Sequence, residues 1–354
     1  MQQAAADHEP DLKRGEFRGN AREYFGIWIV NILLTILTIG VYSAWAKVRR
    51  NRYFYGNSYV DSHSFDYHAR GLQILIGRVI VIAYIVIYNI VLTISPIAGI
   101  VLGLLMLLLL PWIVMRSLRF NARITSYRNI RFDFTGKTWG AFVAIIGGGL
   151  VSFLSIGILA PFASRWLYRY IFNNLRYGDR RFESDPRLGA LYRVWLPAFI
   201  IFLVGAAIAA GLGALAIFSI AGSDMGGDNE IQLILAMYGV LIPTLVIFAV
   251  SGIFYRVGVR NVVMNATVFD GRHRLFSDLG RRRYFWIVLS NFVISVITLG
   301  LMRPWAAVRE HRYTIEHSGI LVDGPLDDVI SSIERSGSAA AAEYLDIEGF
   351  DFGF

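Results

Sequence analysis

Apolar and polar positions alternate along the chain in long blocks, and one block pattern recurs. Residues 38–53, TIGVYSAWAKVRRNRY, return as SIGILAPFASRWLYRY at 155–170 and as TLGLMRPWAAVREHRY at 298–313. A fixed pattern of this kind outranks local propensity as a guide to architecture. Each copy runs from a hydroxyl residue, an Ile or Leu and a Gly to a terminal Arg-Tyr pair. Residues 24–53 and 284–313 align without a gap, with twelve of thirty positions identical, Asn31/Asn291, Gly40/Gly300, Trp45/Trp305 and Arg52/Arg312 among them. Glycine beside two β-branched residues makes a poor helix, so a break is predicted at Gly40, Gly157 and Gly300.

Between the copies lie apolar runs at about 72–94, 97–115, 195–220 and 231–254. Each reaches the roughly 20 residues that cross a bilayer. The link GSDMGGDNE at 222–230 is acidic and lacks Lys or Arg, as an outside loop should. The polar segment 56–71 carries turn residues and reads as a small hairpin or irregular loop.

The predicted fold is therefore an all-α polytopic membrane protein, in which a helix hairpin followed by a transmembrane pair repeats. Residues 1–16 are expected to be a disordered N-terminus. Residues 17–131 form a first unit of hairpin plus two spans, 132–275 a second, 276–318 a third hairpin, and 319–354 a cytoplasmic helix with an acidic tail. No apolar core with a cleavage site opens the chain, so no secretory signal peptide is expected.

Composition agrees with a membrane setting: 55% hydrophobic, 17% charged, and a mean hydropathy of +0.51. The net charge of +8 is read as cytoplasmic loops beside anionic lipid rather than nucleic-acid binding. Every copy is basic on both flanks: Arg18 and Arg22 precede the first and Lys47 to Arg52 close it. A simple crossing would put one cluster outside. Re-entrant or interfacial hairpins entering from the cytoplasm, with four crossings, are therefore favoured over three further crossings and about seven in all.

Candidate chemistry is sparse. The absence of cysteine excludes disulfides and thiolate metal sites. The centres of the four apolar runs carry no ionisable residue, which weighs against proton coupling and intramembrane hydrolysis. His63, Asp66 and His68 share a loop, and His311 and His317 sit with Glu310 and Glu316 near the third copy, but neither spacing is a metal-ligand signature. No catalytic constellation and no phosphate-binding glycine loop is present, so no enzyme, cofactor or metal is expected.

The best recognition candidates are Trp45, Arg49, Arg52 and Tyr53, with Arg169, Tyr170, Trp305, Arg309, Arg312 and Tyr313 in the other copies. Guanidinium forks suit phosphates and aromatic rings suit the headgroup level. Anchoring by snorkelled arginines is the alternative use of the same residues.

YFGIWIVNILLTILTIGVYSAWAKVRRNRYFYGN, followed by SFDYH and closed by LDIEGFDFGF, resembles the YjgN-like bacterial inner-membrane proteins, a family of uncharacterised function. The resemblance implies a multi-pass inner-membrane protein and supplies no catalytic residue. Two functions are expected to compete: handling or transport of a small solute or lipid, with anionic lipid gripped at the hairpins, or a scaffold whose loops and acidic tail recruit a protein partner.

Overall fold

The computed structural model describes residues 10–221, 229–324 and 326–335. Its organising element is a sheet. Eleven short strands pair antiparallel throughout, in the order β1-β11-β10-β9-β8-β7-β6-β5-β4-β3-β2. These are β1 (Asp11–Arg14), β2 (Glu16–Phe17), β3 (Ser58–Val60), β4 (His63–Tyr67), β5 (Thr125–Tyr127), β6 (Ile130–Phe134), β7 (Leu175–Tyr177), β8 (Arg180–Ser184), β9 (Thr267–Phe269), β10 (His273–Ser277) and β11 (Ser318–Val322). The outer strands β1 and β2 are consecutive in the chain, separated only by Gly15, so the two edges meet there and the sheet curls into a nearly closed barrel. An all-α fold is thus overturned.

Gly15 is where the edges can meet because a side chain does not fit: a Cβ would sit 2.6 Å from the Ile315 carbonyl oxygen. Bringing the two edges together leaves little edge exposed to invite aggregation. The β3-β4 and β5-β6 turns place Asp61, Ser62, Arg128 and Asn129 at positive φ, the two-residue geometry whose twist matches flanking strands. Residues 11–14 and 16, read within a disordered N-terminal tail, supply with Phe17 the strands that join the ring; residues 1–9 lie outside the described part.

Helices rise from one end of this barrel in antiparallel pairs, α1 (Ala21–Leu37) with α2 (Ser43–Gly56), and α3 (Gly71–Ile94) with α4 (Pro96–Arg123). Next come α5 (Thr138–Leu154), which contains a π turn at Val143–Gly147, and α6 (Ala160–Asn173). They are followed by α7 (Leu188–Ala221) with α8 (Asn229–Asn265), and α9 (Arg281–Ile297) with α10 (Arg303–Glu316). Each pair also touches the next, and α10 packs against α1, so the helices form a ring above the barrel.

The hydroxyl-Ile/Leu-Gly motif is the turn of the three short hairpins. Ile39 and Gly40 take φ of +50° and +88°, Ile156 and Gly157 +52° and +82°, Leu299 and Gly300 +50° and +90°. The Gly40 amide donates back to the Thr35 carbonyl at 2.7 Å, closing the first helix, while Thr38 Oγ1 accepts from the Tyr42 amide at 2.9 Å and starts the second. Ser155 and Thr298 do the same for Leu159 and Met302. The repeated residues therefore encode a helix stop and the next helix start. At the tips Ile39 and Leu299 are 94% exposed, apolar groups turned outward.

Among the described residues, four helices are long and apolar enough to cross a membrane: α3, α4, the Leu188–Leu215 stretch of α7 and the Met237–Asn265 stretch of α8. One core cluster lies in the barrel, where Phe65, Tyr127, Phe132, Tyr177, Phe182 and Phe269 pack in ring contact around the inner wall, and others lie between the helices. Tyr127 and Tyr177 donate from their hydroxyls to the Val60 and Tyr127 carbonyls at 2.7 and 2.8 Å, lacing one β-hairpin to the next. A last helix, α11 (Leu326–Arg335), sets Val329, Ile330 and Ile333 against this core. The expected acidic tail beyond it, and the loop at 222–228, lie outside the described residues.

Candidate functional site

Most of the repeated aromatic and arginine positions hold the fold together. Tyr53 Oη accepts from the Asn20 amide at 2.7 Å and contacts the Asn20 carbonyl at 2.8 Å. Tyr170 donates to the Lys137 carbonyl at 3.0 Å, and Tyr313 accepts from the Gly280 amide at 3.0 Å. In each hairpin the tyrosine of the second helix therefore clamps the residue that starts the first. Burial pushes the Tyr53 and Tyr170 hydroxyls up to about 12, so they stay protonated donors.

The arginines divide. Arg312 donates to the Gly19 carbonyl at 2.8 Å, Arg169 lies 3.6 Å from Asp185, and Arg49 reaches the Tyr42 hydroxyl at 3.2 Å. Arg309 donates to Ser290 Oγ at 2.7 Å and Asn291 Oδ1 at 3.2 Å, with its guanidinium 5.1 Å from the Trp305 ring. Trp45 stacks on Tyr42 and packs over Gly71, where a Cβ would lie 2.5 Å from the indole. Arg52 is exposed. Trp305, Arg309, Arg312 and Tyr313 share a cavity of about 460 Å³, with Arg283 and Glu316 also in its wall.

A second cavity, of about 550 Å³, opens between α1-α2, α3 and the start of α10. Lys47, Arg50, Arg78 and Arg303 line it, and none of its lining residues is a carboxylate. Arg78 is held by a hydrogen bond to Ser43 Oγ. Trp28, Ile32 and Ile36 supply an apolar wall. Asn31, only 7% exposed, also lines it, and its Oδ1 has no hydrogen-bond partner among the described residues. The equivalent Asn291 Oδ1 is satisfied by Arg309, whereas in the first hairpin the matching Arg49 turns to Tyr42 instead. Four cations facing an unpaired buried acceptor make an environment for an anion that also carries hydroxyl donors.

Sequence reasoning missed these cations for a definite reason. Lys47 and Arg50 correspond to Ala307 and Glu310 in the third copy, and Arg303 to Ser43 in the first. Residues that repeat serve the shared hairpin fold; the charged cavity uses those that do not repeat. Among the described residues, no group of three or more His, Asp or Glu could hold a metal.

A bacterial family described as "Bacterial protein of unknown function (DUF898)" matches residues 13–347. The chain belongs to this family. Within DUF898 it is similar to the "Inner membrane protein YjgN" of Salmonella typhimurium strain LT2, 27% identical over 337 residues, covering 82% of this chain and 84% of that protein. The inner membrane proteins YjgN of Escherichia coli O157:H7 and of strain K12 are each 27% identical over 358 residues, covering 88% of this chain and 89% of theirs. No solved structure matches significantly.

Proposed function

We propose that this DUF898 protein resides in the bacterial inner membrane, with its barrel at the cytoplasmic face, and is a non-enzymatic lipid-handling protein that grips an anionic phospholipid headgroup between its first and last hairpins. The relatives are named inner membrane proteins. Orientation follows from charge: no charged residue occurs between Arg78 and Arg116, between Arg193 and residue 222, or between Glu230 and Arg256. Cations thus gather where the helices meet the barrel, the side that should be cytoplasmic.

The observation that carries the reading is the placement of Arg303. It opens α10 only three residues beyond the tip glycine Gly300, is exposed, and shares the cationic cavity with Lys47, Arg50 and Arg78. If the hairpins enter the bilayer, a cation so near the tip needs an anionic partner, and an intramembrane ionisable residue is by default a functional one. The apolar wall of Trp28, Ile32 and Ile36 would then run beside an acyl chain.

Native mass spectrometry of protein in nanodiscs containing phosphatidylglycerol and phosphatidylethanolamine tests this. Retained phosphatidylglycerol, resistant to millimolar inorganic phosphate and lost in the Arg78→Ala/Arg303→Ala double variant, is expected. Retention unchanged in that variant would overturn the reading, and displacement by inorganic phosphate alone would reassign the cavity to a soluble anion.

A further inference from the structure

The barrel interior holds an apolar cavity of about 250 Å³, walled by residues from strands around the ring, such as Val60, Phe65, Phe132, Phe182 and Leu275. It is separate from both arginine cavities. Cores are normally packed to crystal density with few voids larger than a water. Even an apolar void of about 150 Å³ stays dry and binds small hydrocarbons. A larger apolar space ringed by strands is a binding site or an unfilled core, and what covers it decides between these.

The cover is α11. Its Val329 and Ile330 form part of the cavity wall, so the helix is a stopper at the end of the barrel away from the helix ring. Its polar fastenings lie on the rim. Arg128, in the β5-β6 turn, meets Asp327 at 2.7 Å, and Arg180, at the start of β8, donates to Ser332 Oγ at 3.0 Å. The two arginines differ in what else holds them: Arg128 Nη1 is buried without a hydrogen-bond partner among the described residues, whereas Arg180 also meets Asp179 and Asp270 at 3.3 Å each. The stopper thus has the chemistry of an amphiphile, with an apolar face in the barrel and a carboxylate on a rim guanidinium.

We propose that the barrel binds the alkyl chain of a single-chain fatty carboxylate, with its head on Arg128, and that α11 is the resident competitor for that site. The volume takes a chain of roughly eight to ten carbons at interior packing density. Lifting α11 enlarges the space and releases Arg128 from Asp327, so chain burial and charge pairing are gained in one step, while Arg180 keeps Asp179 and Asp270 and gives up only its Ser332 bond. The carboxylate is favoured over an uncharged alcohol because the guanidinium fork pairs with two carboxylate oxygens.

The test uses the full chain in nanodiscs and a decanoic acid bearing a photoreactive diazirine on its chain, with labelled peptides identified by mass spectrometry. Labelling of β3 to β10 peptides is expected, competed by excess decanoate and poorly by 1-decanol. It should vanish in Leu275→Trp, which fills the cavity, and rise about tenfold in Ile333→Ser, which loosens the stopper and enlarges the binding-competent fraction. If Leu275→Trp does not fold, Val60→Phe fills the opposite wall and serves in its place. Label confined to α3, α4, α7 and α8, or barrel label unchanged in the filled variant, overturns the proposal. Equal competition by 1-decanol overturns the carboxylate assignment.

Discussion

Arg312 Nη2 donates to the Gly19 carbonyl oxygen at 2.8 Å, joining the last helix hairpin to the first across 293 residues of chain. Arg119 does the same work between adjacent pairs, donating to the Phe134 and Gly136 carbonyls at 3.1 Å each. Gly19 and Gly136 each lie two residues beyond a strand end, so the contacts are equivalent around the ring. A charged hydrogen bond of this kind contributes about 2 kcal/mol. Arg312→Ala and Arg119→Ala should each lower stability by about that amount in thermal unfolding of the detergent-solubilised protein. Arg52→Ala, at an exposed position of the same motif, should change it by less than about 0.5 kcal/mol. Equal losses from all three would mean that Arg52 also makes a contact that holds the ring.

The hairpin turn makes a second prediction. Gly40 sits at φ +88° with open space where a Cβ would stand, so a side chain there meets backbone strain and no clash. Gly40→Ala should cost about 1 kcal/mol. Thr38→Ala, which removes the hydroxyl accepting from the Tyr42 amide, should cost about 1 kcal/mol as well. The two act on one turn, so the double variant is expected to lose less than the sum, a non-additivity that a double-mutant cycle of melting measurements reads directly.

His311 makes stability depend on pH. Its imidazole is packed against Phe17 and Phe54 with ring centroids 4.9 and 4.8 Å away, and Nε2 lies 2.9 Å from Ser58 Oγ. Burial, with a smaller contribution from Arg50, lowers its pKa from 6.5 to about 4. The folded-state value is below the unfolded one, so the unfolded chain binds more protons between them. Stability is full above pH ~6.5 and falls as pH drops toward ~4. A shift of this size is worth on the order of 3 kcal/mol. Melting temperature should therefore decline from pH 7.5 to 5, and His311→Gln should flatten the decline. An identical slope in that variant would assign the acid sensitivity elsewhere; His273, buried in β10 and also shifted down, is the next group to substitute.

The helical half of this architecture is written locally and the sheet is not. The stop-start turn at Thr38, Ile39 and Gly40 is encoded within four residues, and the spans by uninterrupted apolar runs, so both can be read from sequence. The barrel is built from strands of two to five residues. Their partners are set by distance through the chain: Phe65 of β4 pairs with Tyr127 of β5 only after an entire helix pair has intervened. A five-residue polar stretch such as HSFDY carries a hairpin signal and no sign of that non-local pairing. The same limit hid the charged cavity, where Arg78 and Arg303 come from elements 225 positions apart and meet Lys47 and Arg50 only through the ring.

Length separates the helices that could cross a bilayer from those too short to do so. At 1.5 Å per residue the 17 residues of α1 rise about 26 Å and the 14 of α2 about 21 Å, whereas the 34 of α7 reach about 51 Å, all from the same barrel rim. The first turn of α1 still carries Arg22 and Glu23, so less than a hydrocarbon thickness of about 30 Å is left for a crossing. On the proposed orientation, with the barrel in the cytoplasm, the three short hairpins would enter and return while the two long pairs would span. Single cysteines are easily placed in a chain that has none. Arg22→Cys and Arg52→Cys should both react with a membrane-impermeant maleimide only from the cytoplasmic side, Ser95→Cys in the α3-α4 turn only from the periplasmic side, and Ile39→Cys from neither. Periplasmic labelling at position 39 would make the hairpins full crossings, place Arg303 close to the periplasmic headgroups, and remove the reason for a headgroup bound at depth.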